Sequence, residues 1–256
     1  MKSLVTMITL MCLAIGLTQA QEYKVAKSTG RLEIKEVNHV LIEGTTGNEI
    51  VFSSRSGKRD DDERAKGLRS ISNSGLEDNT GLGISVVDKG NVIEVQQLKK
   101  MDGPEITIKV PKGVVISVVH TSPYGEEIEF KNVEGEIEAS TVHSGIVLNN
   151  VTGPMTIKTV HGDIETALGA NIKSPVSIVS VHGHVDVALP VSVKANVKLS
   201  TVYGEIFVDP DFKIELEKTQ DNLIKYTDKL TAKINGGGVD VTLSSTHNNV
   251  YLRKTK

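Results

Sequence analysis

Tryptophan is absent from this chain of 256 residues, aromatic residues make up only 4% of it, and there is a single cysteine. That thiol, Cys12, lies in an apolar stretch near the start. Disulfide scaffolds, thiolate metal sites and cysteine nucleophiles are therefore excluded from everything beyond it. So few rings leave no sugar-stacking platform, no usual set of aromatic interface anchors and no lining for a large apolar ligand pocket. An excess of one charge is also missing. Lys and Arg number 29 against 32 Asp and Glu, a formal net charge of −3. The two signs are interspersed, so no basic face suited to nucleic acid is expected.

What is present begins with Lys2, an apolar run from Leu4 to Leu17, and Thr18-Gln19-Ala20. Charge, apolar core and small-residue end in that order predict a secretory signal peptide over residues 1–20, with the mature chain starting at Gln21. The run is short of the ~20 apolar residues of a membrane-crossing helix. Met11, just ahead of Cys12, is too large for a lipoprotein cleavage site. The expectation is an exported protein, in the periplasm or at the cell surface, with no transmembrane anchor after signal cleavage.

Beyond residue 21 the dominant signal is alternation. "EITIKVP" around Ile106, "EIEF" around Ile128, "GEIEAS" around Ile137, "MTIKT" around Ile157 and "HVDVALP" around Val185 place apolar and polar residues in turn, the pattern of half-buried strands. A longer period overlies it. His120, His143, His161, His182 and Tyr203 recur at intervals close to 20 residues, each of the last four just before a small residue. Weaker copies, "NVEGEIEAS" at Asn132 and "NVTGPMTIK" at Asn150, fall between them, so Val133, Val142, Val151 and Val160 are evenly spaced.

Strand, glycine corner and strand repeated in this way predict an all-β fold: a single-stranded, parallel β-helix-like solenoid, right-handed, with ~18–21 residues per coil stacked ~4.8 Å apart. In "TVHGDIE", Val160 and Ile164 are expected inward, His161 and Asp163 outward, and Gly162 at a corner needing positive φ or close backbone approach. Gly135, Gly153, Gly183 and Gly204 repeat that role. "TVHSGIV" reads as a one-position slip, with Ser144 ahead of Gly145.

Two segments interrupt the period. Residues 53–74 are charged and poor in apolar side chains, and are expected as a long exposed loop. Residues 209–232 form a second charged excursion in which Leu223, Tyr226 and Leu230 keep helical spacing. Residues 21–256 thus read as one solenoid domain with insertions at about 53–74 and 209–232.

Several stretches together resemble a known family: "GLEDNTGLGISV" from Gly75, "ITIKVPKGVVISV" from Ile106, the corner repeats from Val133 to Ile206, "INGGGVDVTL" from Ile234, and "NNVYLRK" near the end. They are similar to the putative-adhesin family of bacterial envelope proteins with β-strand repeats, related to the head domains of autotransporter adhesins. The resemblance implies a secreted β-helix-like domain and no catalytic residues to carry over.

The residues themselves point the same way. Asp60, Asp61 and Asp62 lack the alternate ligand spacing and the glycine of a calcium loop. "NGGG" at Asn235 is followed by strand, with no helix start and no Gly-Lys-Ser/Thr element. His143, His161, His182 and Tyr203 form a candidate outward ladder, the only binding feature singled out. Stacked imidazoles could chelate zinc or copper, with His184 and Asp163 nearby, but Tyr203 fills the same slot, so flat rings stacked coil on coil are preferred and no metal site is assigned. No cofactor or catalytic residue is expected. The functional reading is a non-catalytic envelope protein, adhesin-like or scaffold-like, binding an envelope or extracellular protein or glycan through its solenoid faces. The alternatives are a polysaccharide-active solenoid enzyme, whose carboxylates would have to converge where Glu136, Asp163, Asp186 and Glu205 are instead spread along the repeat, and a periplasmic structural or regulatory domain.

Overall fold

A computed structural model describes residues 21–54, 63–65, 67, 68, 70–173, 175–216 and 229–255. The expected signal peptide, the Asp60–Asp62 run, Leu223 and Tyr226 lie outside them. The strands are β1 (Glu22–Val25), β2 (Thr29–Lys35), β3 (His39–Thr45), β4 (Ile50–Ser54), β5 (Ile84–Asp88), β6 (Val92–Gln97), β7 (Glu105–Pro111), β8 (Gly113–His120), β9 (Ile128–Lys131), β10 (Ile137–Thr141) and β11 (Ile146–Val151). They continue as β12 (Met155–Thr159), β13 (Ile164–Leu168), β14 (Val176–Ser180), β15 (Val185–Leu189), β16 (Ala195–Thr201), β17 (Ile206–Val208), β18 (Ile214–Leu216), β19 (Lys229–Ile234), β20 (Val239–Ser245) and β21 (Val250–Lys254). Among the described residues the one helical piece is a 3-10 turn, Glu63–Ala65. Leu230, expected on a short helix, lies in β19.

The strands form two long sheets, one of 10 strands and one of 11, most of them parallel and neither closed on itself. Val and Ile fill the strands because their branched side chains pack on a pleated surface. In β14 and β15 every second residue is buried. The inward rows meet in one continuous core running from Leu32 to Leu252.

Through the middle the chain winds in order. Ile116 pairs with Ile137, Ile137 with Met155 and Met155 with Val176 in one sheet. Ile128, Ile146, Ile164 and Val185 do the same in the other. At both ends the order changes. The first coil, β2 and β3, is inserted between β6/β7 and β8/β9. The coil β20/β21 is inserted between β14/β15 and β16/β17. Antiparallel strands then extend three of the four sheet ends: β4 and β1 beyond β7, β5 beyond β6, and β19 and β18 beyond β16. The fourth end is β17, paired on one side only among the described residues.

Two expectations about the corners change. Val160 and Val142 are half-buried, and the inward residue before each corner is Thr159 or Thr141, at 3% and 2% exposure. A hydroxyl is tolerated there because it donates to a corner carbonyl, Thr159 Oγ1 to Gly162 O at 2.6 Å and Thr141 Oγ1 to Ser144 O at 2.6 Å. A satisfied polar group inside costs little. Nor is there a slip at Ser144, since Ile146 stays level with Ile128 and Ile164. Ser144 occupies the glycine position and fits because Gly125 leaves room beside it: a Cβ on Gly125 would come within 2.4 Å of Ser144 Oγ and 2.1 Å of His120 Cε1. Gly162 and Gly183 are required by close approach, with a built Cβ 2.1 Å from a carbonyl oxygen of the coil below in each case.

Candidate functional site

The corner between β10/β12/β14 and β11/β13/β15 carries two parallel rows of side chains. The inner row is buried and polar: His120, Thr141, Thr159, Ser180, Ser245 and Thr201 lie level with one another in successive strands. Its hydroxyls bind corner backbone, as where Ser180 Oγ accepts from Gly183 N at 2.9 Å and Ser245 Oγ donates to Gly183 O at 2.8 Å. His120, which shares the repeat spacing of the outer rings, belongs here. Its ring is fully buried, with Nδ1 3.2 Å from Ser144 Oγ and Nε2 3.1 Å from Asn38 Oδ1. Burial lowers its pKa, and the neighbouring Glu36 opposes this while His143 and His39 add to it.

Two residues beyond each inner position the backbone turns and the side chain points to solvent, which produces the outer row. His143, His161 and His182 stack as expected, at centroid separations of 5.4 and 4.8 Å and interplanar angles of 13° and 6°. Tyr203 does not follow His182. His247, which sequence reading missed, stands between them, 4.6 Å from His182 and 4.9 Å from Tyr203. The inserted coil β20/β21 places it there. Its signal was available in "SSTHNNV", which matches "STVYGEI" in its Ser or Thr, its ring and its closing aliphatic residue, but has Asn248 in place of glycine.

All five rings are exposed. Because they cover one another's faces, solvent meets their edges. Each neutral imidazole offers one donor and one acceptor, so the row is a comb of polar atoms at the strand spacing, ending in Tyr203 at 73% exposure. Parallel rings aim their nitrogen lone pairs side by side instead of at a common point. Among the described residues no group of three or more His, Cys, Asp or Glu is placed to hold a metal ion. Desolvation in the stack, then His247 and His161, lower the pKa of His182.

The surroundings are already paired. Asp163 accepts from His184, whose Nδ1 is 2.9 Å away, and Glu165 lies 3.7 Å from His184 Nε2. Arg253 Nε donates to both carboxylate oxygens of Asp186 at 2.8 and 2.7 Å, and its guanidinium lies 4.9 Å from the Tyr251 centroid. Tyr251 in turn stacks on Phe207 at 5.2 Å. Across the other sheet, Arg31 reaches Glu138 at 2.6 Å and Glu33 at 3.3 Å, and Lys35 reaches Glu33 and Glu94 at 3.0 and 3.6 Å. A shallow groove lined by His39, Glu105, Glu126, Glu127 and Glu129 opens on the first sheet. Burial, then Glu129 and Glu165, raise the Glu127 pKa.

No curated protein matches the chain significantly. Among solved structures, a "putative cell adhesion protein" from Clostridium sporogenes is similar at 11% identity and a TM-score of 0.46, over 93% of this chain and 100% of that one. A "putative adhesin" from Bacteroides fragilis is similar at 9% identity and a TM-score of 0.39, over 92% of this chain and 97% of that one. A family model, Toastrack DUF4097, matches residues 126–253, the part that holds β9 to β20, most of β21 and the whole ring ladder. The chain belongs to the Toastrack DUF4097 family.

Proposed function

We propose that this chain is an exported, non-catalytic binding protein of the cell envelope, with residues 1–20 as its signal peptide and residues 21–256 as one right-handed solenoid domain interrupted near 53–74 and 209–232. Right-handed winding follows from the strong preference of parallel strand crossovers for that hand. Its partner is an envelope or extracellular protein or glycan that lies along the ring-bearing corner. One observation carries this reading. Five rings, His143, His161, His182, His247 and Tyr203, stand exposed in an unbroken row 4.6–5.4 Å apart, on a rigid core, where the neighbouring carboxylates and cations are largely paired with each other. Rigid presentation of repeated polar edges lowers the ordering cost of binding an extended partner. The same pairing disfavours the polysaccharide-cleaving alternative, since Asp163 is tied to His184 and Asp186 to Arg253, in separate contacts instead of around a common bond to be cut.

The test combines location with contact. Protease applied to intact cells should digest the protein, and the purified mature protein should bind members of an array of extracellular proteins and glycans. Replacing His161, His182 and His247 with Ala should weaken that binding about tenfold or more while leaving the melting transition in place. Undiminished binding by the folded variant refutes the reading, whereas complete protection in intact cells places the protein and its partner in the periplasm instead of at the surface.

A further inference from the structure

We infer that the open edge of β17 is a second binding site, which takes an extended peptide segment of another protein as an added strand, with apolar residues at its centre and Lys or Arg at its ends. Of the four sheet ends, three are guarded in the ways sheet proteins use to prevent stray pairing. β1 carries Glu22 and Lys24, paired at 3.1 Å. The edge of β5 is occupied by side chains. Asn79 donates to Val86 O at 2.6 Å and accepts from Val86 N at 2.9 Å, and Thr80 Oγ1 donates to Ile84 O at 3.0 Å. β18 carries Glu215 between its two apolar residues.

Among the described residues β17 has none of these three guards, only the brevity of a three-residue strand. Its sequence is Ile206-Phe207-Val208, with no charge, no proline and no bulge. Toward β21 it uses Glu205 O, which accepts from Val250 N at 2.9 Å, and Asp209 N, which donates to Leu252 O at 2.8 Å. Alternation along a parallel pair turns Phe207 the same way and leaves the N–H and C=O of Ile206 and Val208 facing the open side. Apolar surface surrounds that edge. Phe207 is 44% exposed, Val202 54% and Tyr203 73%, while Ile206 and Val208 are only partly covered at the end of the core.

The charges at its ends select the occupant. Glu205 and Asp209 bracket the strand. A second copy pairing antiparallel through the same edge would set Glu205 against Asp209 at both ends, and like charges directly opposite one another are unfavourable. A strand with basic ends instead meets a carboxylate at each end, while its backbone satisfies the open groups and an outward side chain covers Phe207. Strand addition of this kind draws affinity from backbone bonds and specificity from alternate side chains.

The probe is a library of random nine-residue peptides displayed on phage, selected on the immobilised mature protein and counter-selected on Val208→Pro. Proline there removes a donor on the open side only and is tolerated on an edge strand. A second variant, Phe207→Lys, adds an edge charge, and melting curves establish that both remain folded. Surviving peptides should have alternating apolar centres and Lys or Arg ends. Resynthesised, they should slow amide exchange at Ile206 and Val208, bind either variant about tenfold or more weakly, and lose affinity for Glu205→Lys. The inference is overturned if no peptide distinguishes the wild type from Val208→Pro, if the survivors lack basic ends, or if sedimentation shows a self-association that Val208→Pro abolishes, which would make a second copy the occupant.

Discussion

The middle of the stack and its two ends use the same strands of alternating Val and Ile, but the chain passes through them differently. From β8 to β15 each coil rests on the one before it. At either end a coil distant in sequence is inserted one layer in, β2/β3 at one end and β20/β21 at the other. A simple solenoid frays from its termini, because each repeat touches only its sequence neighbours. Here the inserted coils are covered on both sides, so the ends are held by contacts between strands far apart in sequence. Stability should therefore be closer to all-or-none than repeat architecture alone suggests.

The largest expected effect tests that lock. Deleting residues 239–254 removes an interior layer, leaving β16/β17 about 10 Å from β14/β15, twice the strand spacing. The truncated chain should lose its cooperative melting transition by circular dichroism. Retention of a sharp transition near the original temperature would show that the ends are independent of the middle.

Within the middle coils, the phase of the corner can be broken one residue at a time. Ile164 is fully buried, and Ile164→Asp should cost about 3–5 kcal/mol in urea unfolding through an unpaired internal charge. Val160, half-buried, should cost roughly 1 kcal/mol when changed to Asp. Equal losses would place Val160 inward after all. Between these in size is Gly162→Ala. Its Cβ would lie 2.1 Å from Ser144 O, and relief of that overlap should cost about 1–3 kcal/mol by the same measurement.

The smallest expected effect concerns acid, and it runs across the joint between regular and inserted coils. His120 and His182 have lowered pKa values, from burial in the first case and from desolvation and the His247 and His161 neighbours in the second. A histidine harder to protonate when folded favours the native state fully above the unfolded value of about 6.5, and that contribution falls away as pH drops through the lower folded value. Urea midpoints should therefore fall between pH 7.5 and pH 5. Changing His143, His161, His182 and His247 to Tyr should remove part of that fall and preserve the fold, since Tyr203 already occupies the row. His120→Gln should remove another part. A wild-type midpoint unchanged over this range would show that the stacked and buried imidazoles are not coupled to folding.

The repeat was legible because a sheet of parallel strands writes its period directly into the chain, and the slots of His143, His161 and His182 could be read by spacing alone. Four features were not. Thr141, Thr159 and Ser180 look outward-facing by polarity, because the corner carbonyls that satisfy them are invisible in a linear pattern. His120 resembles its neighbours in spacing, yet a bond to Asn38, far away in sequence, holds it inside. The position of His247 depends on which coil lies next to which, and strand order at the ends is set by long-range packing, not by any local period. Antiparallel guarding strands such as β5 and β19 likewise carry the same alternation as parallel ones, so sequence gives no hint of their direction.

The inserted coil also fixes an order of events. Residues 195–208 leave the ribosome before residues 239–254, yet in the finished protein they lie outside them. If β16/β17 docked early onto β14/β15, it would occupy the seat of the coil still to come and would have to let go again. Non-local pairing of this kind slows folding. The chain should thus remain unfinished, and open to proteases and chaperones, until its last strands are free to take their place, so the time to reach the native state is governed by a single late step instead of by steady growth along the stack.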